Sequence, residues 1–508
     1  MKQFDMVELS FKGAKLEGSW AIIDLQATIT NGEDTKTVKG FYDGDGVYKL
    51  RFMPEKTGTY TYKVSGCITA EGSVEVSPAD GNSHGIVRAD GTRFVYADGS
   101  AYHPFGTTVY ALLHQPQALI DQTIDTLSKA PFNKIRLCTF PKFYDFNYNE
   151  PDHYAFEKDA HGNWDVHRPN MKYWAELERR MGQLKDLGIE VDLILFHPYD
   201  KWGFSTMSLE QDLVYLDYLL RRMSAMPNVW WSLANEYDLT RKGYEHWYAI
   251  ENFIASNDPY HHLLSNHNCL KTWDFSRENI THACIQTGQL HRTNWWLRQY
   301  GKPVMIDECC YEGNVPHGWG SISPQEMTSR FWKVTALGAY CTHGETYLDD
   351  NDVLWWAKGG VLKGESPKRI AFLREIIESL PGHLECDQPF LEKISQMSEA
   401  ERAKMDLSDP SFRDFVEGFW RLGEDMAYFA EIEVPNYYGH IGDDYFLRYY
   451  DRRTCVKDFV DLPKDKTYTV EVIDTWGMTR TTIATKASGR FELKLPGKEF
   501  TAVLISKE

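Results

Sequence analysis

The chain has 508 residues, of which 42% are hydrophobic and 25% charged, a composition ordinary for a globular protein. This excludes a chain that is mainly disordered or fibrous, and the length suggests about three domains. The formal net charge of −18 repels phosphate backbones and anionic membranes, so we expect neither nucleic acid nor a membrane as partner. Aromatic residues are frequent, at 14%.

Targeting and redox signals are weak in this sequence. The N-terminus carries Asp5 and Glu8 and has no apolar run of signal-peptide length, and no stretch has the roughly 18 apolar residues of a membrane span. The nine cysteines form no CxxC zinc pattern, and Cys309 and Cys310 are neighbours, which rarely bridge. We therefore expect free thiols in a reducing cytoplasm.

Residues 1–85 are predicted to form a β-sandwich. Runs with β-branched residues or alternating polarity, such as Val47–Phe52 and Gly58–Val64, are separated by turn clusters such as Asp43–Gly46. Strands this short and closely spaced are typical of a small sandwich. Pro78–Ser83 is the predicted linker.

Residues 86–400 are predicted to form a (β/α)8 barrel. Asn170–Leu187 has apolar residues at helical spacing, Ser208 with Gln211 forms a capping box, and Ser366 opens the last helix. Eight strand–helix repeats in about 300 residues favour the barrel over a doubly wound sheet, whose Gly-rich first turn is lacking. The predicted strands are 105–109, 134–138, 190–196, 229–234, 262–266, 283–286, 304–306 and 339–342.

Residues 401–508 are predicted to form a second β-sandwich. The β pattern returns from Phe415 onward, in runs that include Met426–Ile432, Tyr445–Tyr450 and Thr467–Asp474. The predicted fold class is therefore α/β, a TIM barrel flanked by N-terminal and C-terminal β-sandwiches. The flanking domains are expected to bind carbohydrate, pack against the barrel or form a homo-oligomer, and the sequence leaves these alternatives open.

Two glutamates follow strands at the face of the barrel where function resides. The fourth predicted strand ends in Asn235 and Glu236, and the seventh ends in Glu308. Strands four and seven face each other across the barrel mouth, so the two glutamates can converge on one bond. Retaining glycoside hydrolysis needs two carboxyl groups about 5 Å apart.

With these motifs the chain resembles the clan A glycoside hydrolases, and as a whole it resembles bacterial glycosidases with an apiosidase-like barrel. The resemblance covers nearly the whole chain. It includes Phe41–Gly46 and Arg51–Pro54 in the N-terminal domain, and Phe94–Gly99 and Pro104–Thr108 at the start of the barrel.

The resemblance implies a retaining double displacement. Glu308 would attack the anomeric carbon, and Glu236 would protonate the leaving oxygen and later activate water. These roles require a raised pKa for Glu236 and an ionised Glu308. The resemblance also implies that Asn235 binds the sugar 2-hydroxyl and that Arg136, at the end of strand two, keeps the nucleophile charged.

Further substrate contacts are expected from the other strand ends. His197 ends strand three, where the clan often places a histidine, and Glu345 closes strand eight. Near the end of strand six the clan often has a tyrosine. Gln286, Thr287 and His291 stand there in this chain, and Tyr311 is the candidate substitute.

Aromatic residues after the strands are candidate sugar platforms. Trp202 is one of them, and the loop of residues 140–164 is rich in aromatic rings that can wall a sugar site. The alternative is that most of these rings pack the loop onto the barrel.

We thus expect an exo-acting glycosidase for plant-derived or other imported oligosaccharides, located in the cytoplasm and needing no metal or other cofactor. One alternative is a metal-dependent barrel hydrolase, suggested by the 17 histidines, although no HxH follows the first strand and no HExxH occurs. The other is a non-catalytic carbohydrate-binding protein, against which the intact pair of Glu236 and Glu308 argues.

Overall fold

The computed structural model describes residues 1–32, 34–81, 83–387, 393–394, 397–423 and 436–508. Antiparallel sheets lie at both ends of the chain, and an eight-stranded parallel barrel lies between them. The predicted fold class is confirmed. No helix in these ranges has the length and apolar character needed to cross a membrane.

The N-terminal part consists of two antiparallel sheets around one apolar core. In the second strand Leu25, Ala27 and Ile29 are buried and the residues between them are exposed, as the two-residue period of a strand requires. The strands are β1 (Val7–Lys12), β2 (Leu25–Asn31), β3 (Asp34–Lys39), β4 (Phe41–Tyr42), β5 (Val47–Phe52), β6 (Gly58–Gly66) and β7 (Ala70–Val76). The two sheets have the orders β1-β5-β4 and β3-β2-β6-β7.

A small antiparallel sheet links this part to the barrel. It consists of β8 (Val87–Asp90), β9 (Arg93–Tyr96) and β10 (Ala101–Tyr102). Phe94 and Tyr102 pack against Trp230 and Tyr340, which belong to barrel strands. The sheet therefore covers the amino-terminal end of the barrel, and the carboxyl-terminal end stays available for a functional site.

All eight predicted barrel strands are present. They are β11 (Phe105–Thr108), β12 (Lys134–Cys138), β15 (Glu190–Phe196), β16 (Val229–Ala234), β17 (Leu264–Ser265), β18 (Ala283–Gln286), β19 (Val304–Glu308) and β21 (Tyr340–His343). Their order is β17-β16-β15-β12-β11-β21-β19-β18, and each pair is parallel. A parallel bridge between His267 and Cys284 joins the fifth and sixth strands and closes the barrel.

Helices follow most of the barrel strands, and the capping box predicted at Ser208 and Gln211 is confirmed. Asn170 accepts a hydrogen bond from the N–H of Lys172, and Ser208 and Gln211 form both bonds of a capping box. The helices of this part are α1 (Gln117–Leu127), α2 (Met171–Asp186), α3 (Leu209–Met223), α4 (Tyr244–Asn257), α5 (Thr293–Tyr300), α6 (Pro324–Ala336), α7 (Trp355–Lys358) and α8 (Ser366–Glu378).

Two pairs of short strands lie in the loops of the barrel. β13 (Phe156–Lys158) pairs with β14 (Trp164–Pro169), and β20 (Glu312–Gly313) pairs with β22 (Glu345–Thr346). The second pair fixes the chain just after Glu308 against the chain just after β21.

The C-terminal part has a six-stranded antiparallel sheet of order β23-β24-β25-β30-β27-β28 and a two-stranded sheet of β26 and β29. These strands are β23 (Glu385–Cys386), β24 (Tyr437–Ile441), β25 (Tyr445–Tyr449), β26 (Lys457–Asp461), β27 (Tyr468–Asp474), β28 (Thr479–Ala487), β29 (Arg490–Lys494) and β30 (Thr501–Lys507). The predicted strand at Met426–Ile432 lies outside the described residues.

The predicted return to β structure at Phe415 is wrong. Phe415 lies in α10 (Pro410–Leu422), which follows the short helix α9 (Glu399–Arg402). Asp409 accepts hydrogen bonds from the N–H groups of Ser411 and Phe412, and Pro410 occupies the first turn. This combination starts a helix, so the cap outweighs the aromatic composition.

Buried ion pairs attach the N-terminal part to the barrel. Arg51 of β5 has a side chain that is 4% exposed and lies 2.8 Å from Glu178 of α2. Arg222 of α3 also bonds Glu178 and lies 2.7 Å from Asp43. On the C-terminal side, Asp451 accepts from Ser329 of α6 at 2.7 Å.

Candidate active site

A cavity of about 840 Å³ opens at the carboxyl end of the barrel. Residues at or after the ends of strands two to eight line it, which is where a barrel of this kind carries its function. Its size is within the range of roughly 300–1,000 Å³ that small-molecule sites occupy. Asn235, Glu236, Glu308 and Tyr311, predicted from the sequence, all line this cavity.

Glu236 follows β16 in a left-handed backbone conformation, with φ 52° and ψ 56°. For a residue with a Cβ this conformation costs roughly 1–2 kcal/mol, and such strain is characteristic of functional positions. The segment after β17 stabilises this turn, because the backbone N–H of Glu236 donates to Nδ1 of His267 at 3.3 Å. The side chain is thereby turned toward the cavity.

The carboxyl group of Glu236 accepts hydrogen bonds from two neighbours. Tyr199, just after β15, donates its hydroxyl to Oε2, and Nδ2 of Asn235 donates to the same oxygen at 3.3 Å. Oδ1 of Asn235 is buried and has no partner among the described residues. This amide oxygen is therefore free to accept from a ligand.

The carboxyl group of Glu308 lies beside a tyrosine and an arginine. Tyr110, just after β11, donates its hydroxyl to Oε1 of Glu308. Nη1 of Arg136 donates to that hydroxyl at 3.2 Å and lies 3.9 Å from the same carboxyl oxygen. Arg136 lies within β12 rather than at its end, and it acts on Glu308 mainly through Tyr110.

Gln286, the last residue of β18, connects the two carboxyl groups. With its amide nitrogen facing the acceptors, that one atom lies 3.0 Å from Oε2 of Glu308 and 3.3 Å from Oε1 of Glu236. The two carboxyl oxygens cannot be further apart than the sum of these distances. In the sequence, Gln286 stands out only because it lies where the clan often has a tyrosine.

The pKa of Glu308 differs from the expectation of an ionised nucleophile. Burial raises the pKa of Glu308 to about 8, and the hydroxyl group of the neighbouring Tyr311 opposes this shift. An ionised Glu308 was expected in the free protein, and burial acts in the opposite direction. The hydrogen bonds from Tyr110 and Gln286 favour the anion, so charge on Glu308 depends on the balance of these effects.

A layer of buried charges supports the two carboxyl groups from below. Lys134 lies 2.6 Å from Asp307 and 3.1 Å from Asp192, and Arg136 lies 3.1 Å from Asp192. Although burial opposes ionisation, the Lys134 and Arg136 cations lower the pKa of Asp307. Asp307, which precedes Glu308 in β19, is thus a fully buried partner of these cations and not a residue of the cavity wall.

The same layer contains the candidate cation ligands of the described chain. Ligand atoms of Asp192, Cys284 and Asp307 lie within 4.8 Å of one another. The ammonium of Lys134 already contacts both carboxylates, and Sγ of Cys284 donates to Asp307 at 2.9 Å. These residues form an internal ion pair network and fit a metal ion poorly.

Three of the predicted substrate contacts do not reach the cavity. His197 is buried behind its wall, with Nε2 3.1 Å from the carbonyl oxygen of Phe140. Trp202 donates Nε1 to Glu150 at 2.9 Å and packs beside Phe143. Neither residue lines the cavity.

Glu345 is the third of these residues. It follows β21 and pairs with β20, so its carboxylate is turned toward the start of α8. There it accepts hydrogen bonds from the N–H groups of Lys363 and Gly364, at 2.5 and 2.8 Å. Glu345 therefore anchors the loop before α8, a role that its position in the sequence does not reveal.

The aromatic residues divide between packing and the cavity. Phe140, Phe156 and Trp164 pack around Phe204, which attaches the loop to the barrel. Tyr144 and Phe146 line the cavity together with Trp319 and Trp356. The cavity therefore has an aromatic wall on the side of this loop.

Comparisons with known proteins agree with this arrangement. A family model described as an apiosidase-like catalytic domain matches residues 88–381, and two domains of unknown function, DUF5060 and DUF5605, match residues 1–66 and 435–506. No curated protein matches the chain.

Solved structures extend the likeness to the whole chain. A provisionally assigned glycoside hydrolase from Bacteroides vulgatus ATCC 8482 is 35% identical with a TM-score of 0.85, over 100% of this chain and 99% of that one. A glycoside hydrolase of family 5 from the same organism is 15% identical with a TM-score of 0.59, over 84% and 94% of the two chains, which shows the fold alone. The chain belongs to the apiosidase-like family and is a glycoside hydrolase.

Proposed function

We propose that this protein hydrolyses glycosides by a retaining double displacement. The observation that carries the proposal is the single amide nitrogen of Gln286 within 3.0 and 3.3 Å of the two carboxyl groups. The two contacted oxygens can be no farther apart than the sum of these distances, whereas inverting enzymes hold their carboxyl groups roughly 6.5–9.5 Å apart to leave room for a water molecule. Direct attack by one carboxylate fits the shorter spacing.

In this proposal Glu308 is the nucleophile and Glu236 the acid and base. Tyr110 and Gln286 each donate to one oxygen of Glu308, and Arg136 lies 3.9 Å away, so all three favour the ionised fraction of Glu308, which burial reduces and which acts as the nucleophile. Glu236 protonates the leaving oxygen as the bond from Glu308 to the anomeric carbon forms. It then takes a proton from water, which releases the sugar with its original configuration.

The stereochemistry of the first product tests the mechanism. A panel of aryl pyranosides and furanosides is hydrolysed, and NMR identifies the first anomer released. Retention of configuration is expected, and a first product of inverted configuration refutes the double displacement.

Azide tests the assignment of roles. With Glu308→Gly, added azide should restore cleavage of an activated aryl glycoside and give a glycosyl azide of inverted configuration, because azide replaces the nucleophile. With Glu236→Gly, azide should give the retained configuration. The opposite pattern would exchange the two roles, a result that the raised pKa of Glu308 makes worth testing.

We also infer exo-action on short, imported glycosides in the cytoplasm. Support comes from the cavity of about 840 Å³, whose size is that of a small-molecule site. Cys309 and Cys341 are unbonded although their sulfur atoms lie 3.6 Å apart, which suits a reducing compartment. Activity on intact polysaccharide in a secreted fraction would contradict this inference.

A further inference from the structure

Lys142 is a buried cation on the cavity wall that the mechanism does not use. It follows β12, is 1% exposed and lines the cavity. Its Nζ lies 3.8 Å from the ring centroid of Tyr110 and 4.3 Å from that of Tyr199. The hydroxyls of these two tyrosines bond Glu308 and Glu236, so the ammonium lies beside the place where the reacting sugar must sit.

Aromatic rings surround this ammonium. The centroids of Tyr144 and Trp356 lie 4.8 and 5.5 Å from Nζ and complete a cage with Tyr110 and Tyr199. Each ring face attracts a cation, so the cage stabilises the protonated lysine without a counter-ion. Burial lowers the pKa of Lys142 to about 8, while Glu236 opposes that shift, and the amine remains mostly protonated at neutral pH.

The cage leaves the hydrogen-bonding capacity of the ammonium unused. A lysine ammonium has three N–H donors, and within the part of the chain that the structure describes Nζ donates to no oxygen. Aromatic rings satisfy its charge only in part, and an unpaired buried charge is costly. Because Lys142 lines the cavity, a polar group of a bound ligand can supply the missing acceptor.

An anionic acceptor fits this position better than a hydroxyl group. The amide side chains of Asn235 and Gln286 line the cavity. They already offer neutral donors and acceptors to the hydroxyl groups of a sugar. A buried cation gives its largest benefit to a charged acceptor, since charge-assisted hydrogen bonds are roughly twice as strong as neutral ones. Carboxylate is the anionic group that sugars carry on the ring itself, in uronic acids.

We propose that Lys142 binds the carboxylate of a uronic acid residue whose glycosidic bond is cleaved, so that the preferred substrates are uronides. This inference rests on the proposed glycosidase function and names the substrate class of the same site. Lys142 is thus a specificity-determining residue.

Matched pairs of substrates test the inference. Aryl glucuronide is compared with aryl glucoside, and aryl galacturonide with aryl galactoside, in the wild type and in Lys142→Met, which keeps the length of the side chain and removes the charge. In at least one pair we expect kcat/KM to favour the uronide by about 100-fold, and Lys142→Met should reduce this ratio toward one.

Lys201→Met is the control. Lys201 also lies over two rings, 4.2 Å from Phe143 and 5.1 Å from Trp202, but it is paired with Glu150 and does not line the cavity. Its substitution should leave the ratio unchanged. The inference would be overturned if neutral glycosides were cleaved as well as uronides, or if Lys142→Met lowered kcat/KM equally for both. Lys142 would then act only on Glu236 and not on the choice of substrate.

Ligand binding separates this inference from the proposed function. Quenching of tryptophan fluorescence by free glucuronic and galacturonic acid is compared with quenching by glucose and galactose, since Trp356 adjoins the ammonium. Selective binding of an acid that Lys142→Met abolishes supports the inference even if no glycoside is hydrolysed. Hydrolysis of neutral glycosides without selective binding supports the function and refutes the inference.

Discussion

The buried carboxyl group of Glu308 should make the stability of this protein depend on pH, and Glu308→Gln should remove that dependence. Burial raises the pKa of Glu308 from the ordinary 4.5 to about 8. The folded protein therefore holds a proton that the unfolded chain releases above pH 4.5. The resulting stability is complete below the unfolded pKa and is lost as the pH rises through the folded pKa.

The magnitude follows from the difference between the two pKa values. Each pKa unit corresponds to about 1.4 kcal/mol, so Glu308 should contribute a loss of roughly 3 kcal/mol to the stability of the wild type between pH 4.5 and pH 7. The neutral amide in Glu308→Gln does not titrate. Its oxygen can still accept from Tyr110, and the amide of Gln286 can turn to pair with its nitrogen.

Urea unfolding, followed by tryptophan fluorescence at pH 5, 7 and 8, measures the effect. Glu308→Gln and the wild type should have similar free energies of unfolding at pH 5, and the variant should be the more stable by roughly 3 kcal/mol at pH 7. Glu157→Gln, in an exposed part of β13, controls for the loss of one charge. A difference that is the same at every pH would mean that Tyr110, Gln286 and Arg136 outweigh burial and keep Glu308 ionised.

Three further predictions concern the residues that position the site. Tyr110→Phe removes the hydroxyl between Arg136 and Glu308 and should lower kcat at least about 10-fold without changing the circular dichroism spectrum, whereas Tyr60→Phe in the N-terminal part should leave kcat unchanged. Asp307→Asn leaves Lys134 without its partner at 2.6 Å and should lower the free energy of unfolding by about 3–5 kcal/mol; a loss below 1 kcal/mol would mean that water reaches this layer. Asp238 accepts hydrogen bonds from the N–H groups of Cys269, Leu270 and Lys271. Asp238→Ala should therefore release this cavity-lining loop, so that both the rate of proteolysis in the loop and the KM rise. Unchanged values would show that the loop keeps its conformation without Asp238.

The barrel and its two glutamates are predictable because they depend on local signals. An apolar strand followed by a carboxylate, as in Val229–Glu236 and Val304–Glu308, indicates both the strand and the residue that its end presents. The caps at Asn170 and Ser208 are equally local, since each involves residues two or three positions apart.

The rest of the site depends on distances across the barrel that no local pattern encodes. Tyr110, Lys142 and Tyr199 follow three different strands and meet only when the sheet closes. Their positions just after strands one, two and three were available as a signal, but nothing in the sequence distinguishes them from the neighbouring aromatic and basic residues. The same limit explains Glu345, whose carboxylate satisfies backbone N–H groups 18 and 19 residues further along the chain.

The ion pairs that attach the N-terminal part have a consequence for how such proteins recombine. Arg51 contacts Glu178 with both of its terminal nitrogens, and Arg222 shares the same carboxylate. A barrel that received an unrelated N-terminal module would lose Arg51 and Asp43, so Glu178 and Arg222 would still pair with each other but each would lose one of its two buried partners. We expect the two modules to be inherited as a matched pair, so that exchange between relatives succeeds only when both sides of this cluster travel together.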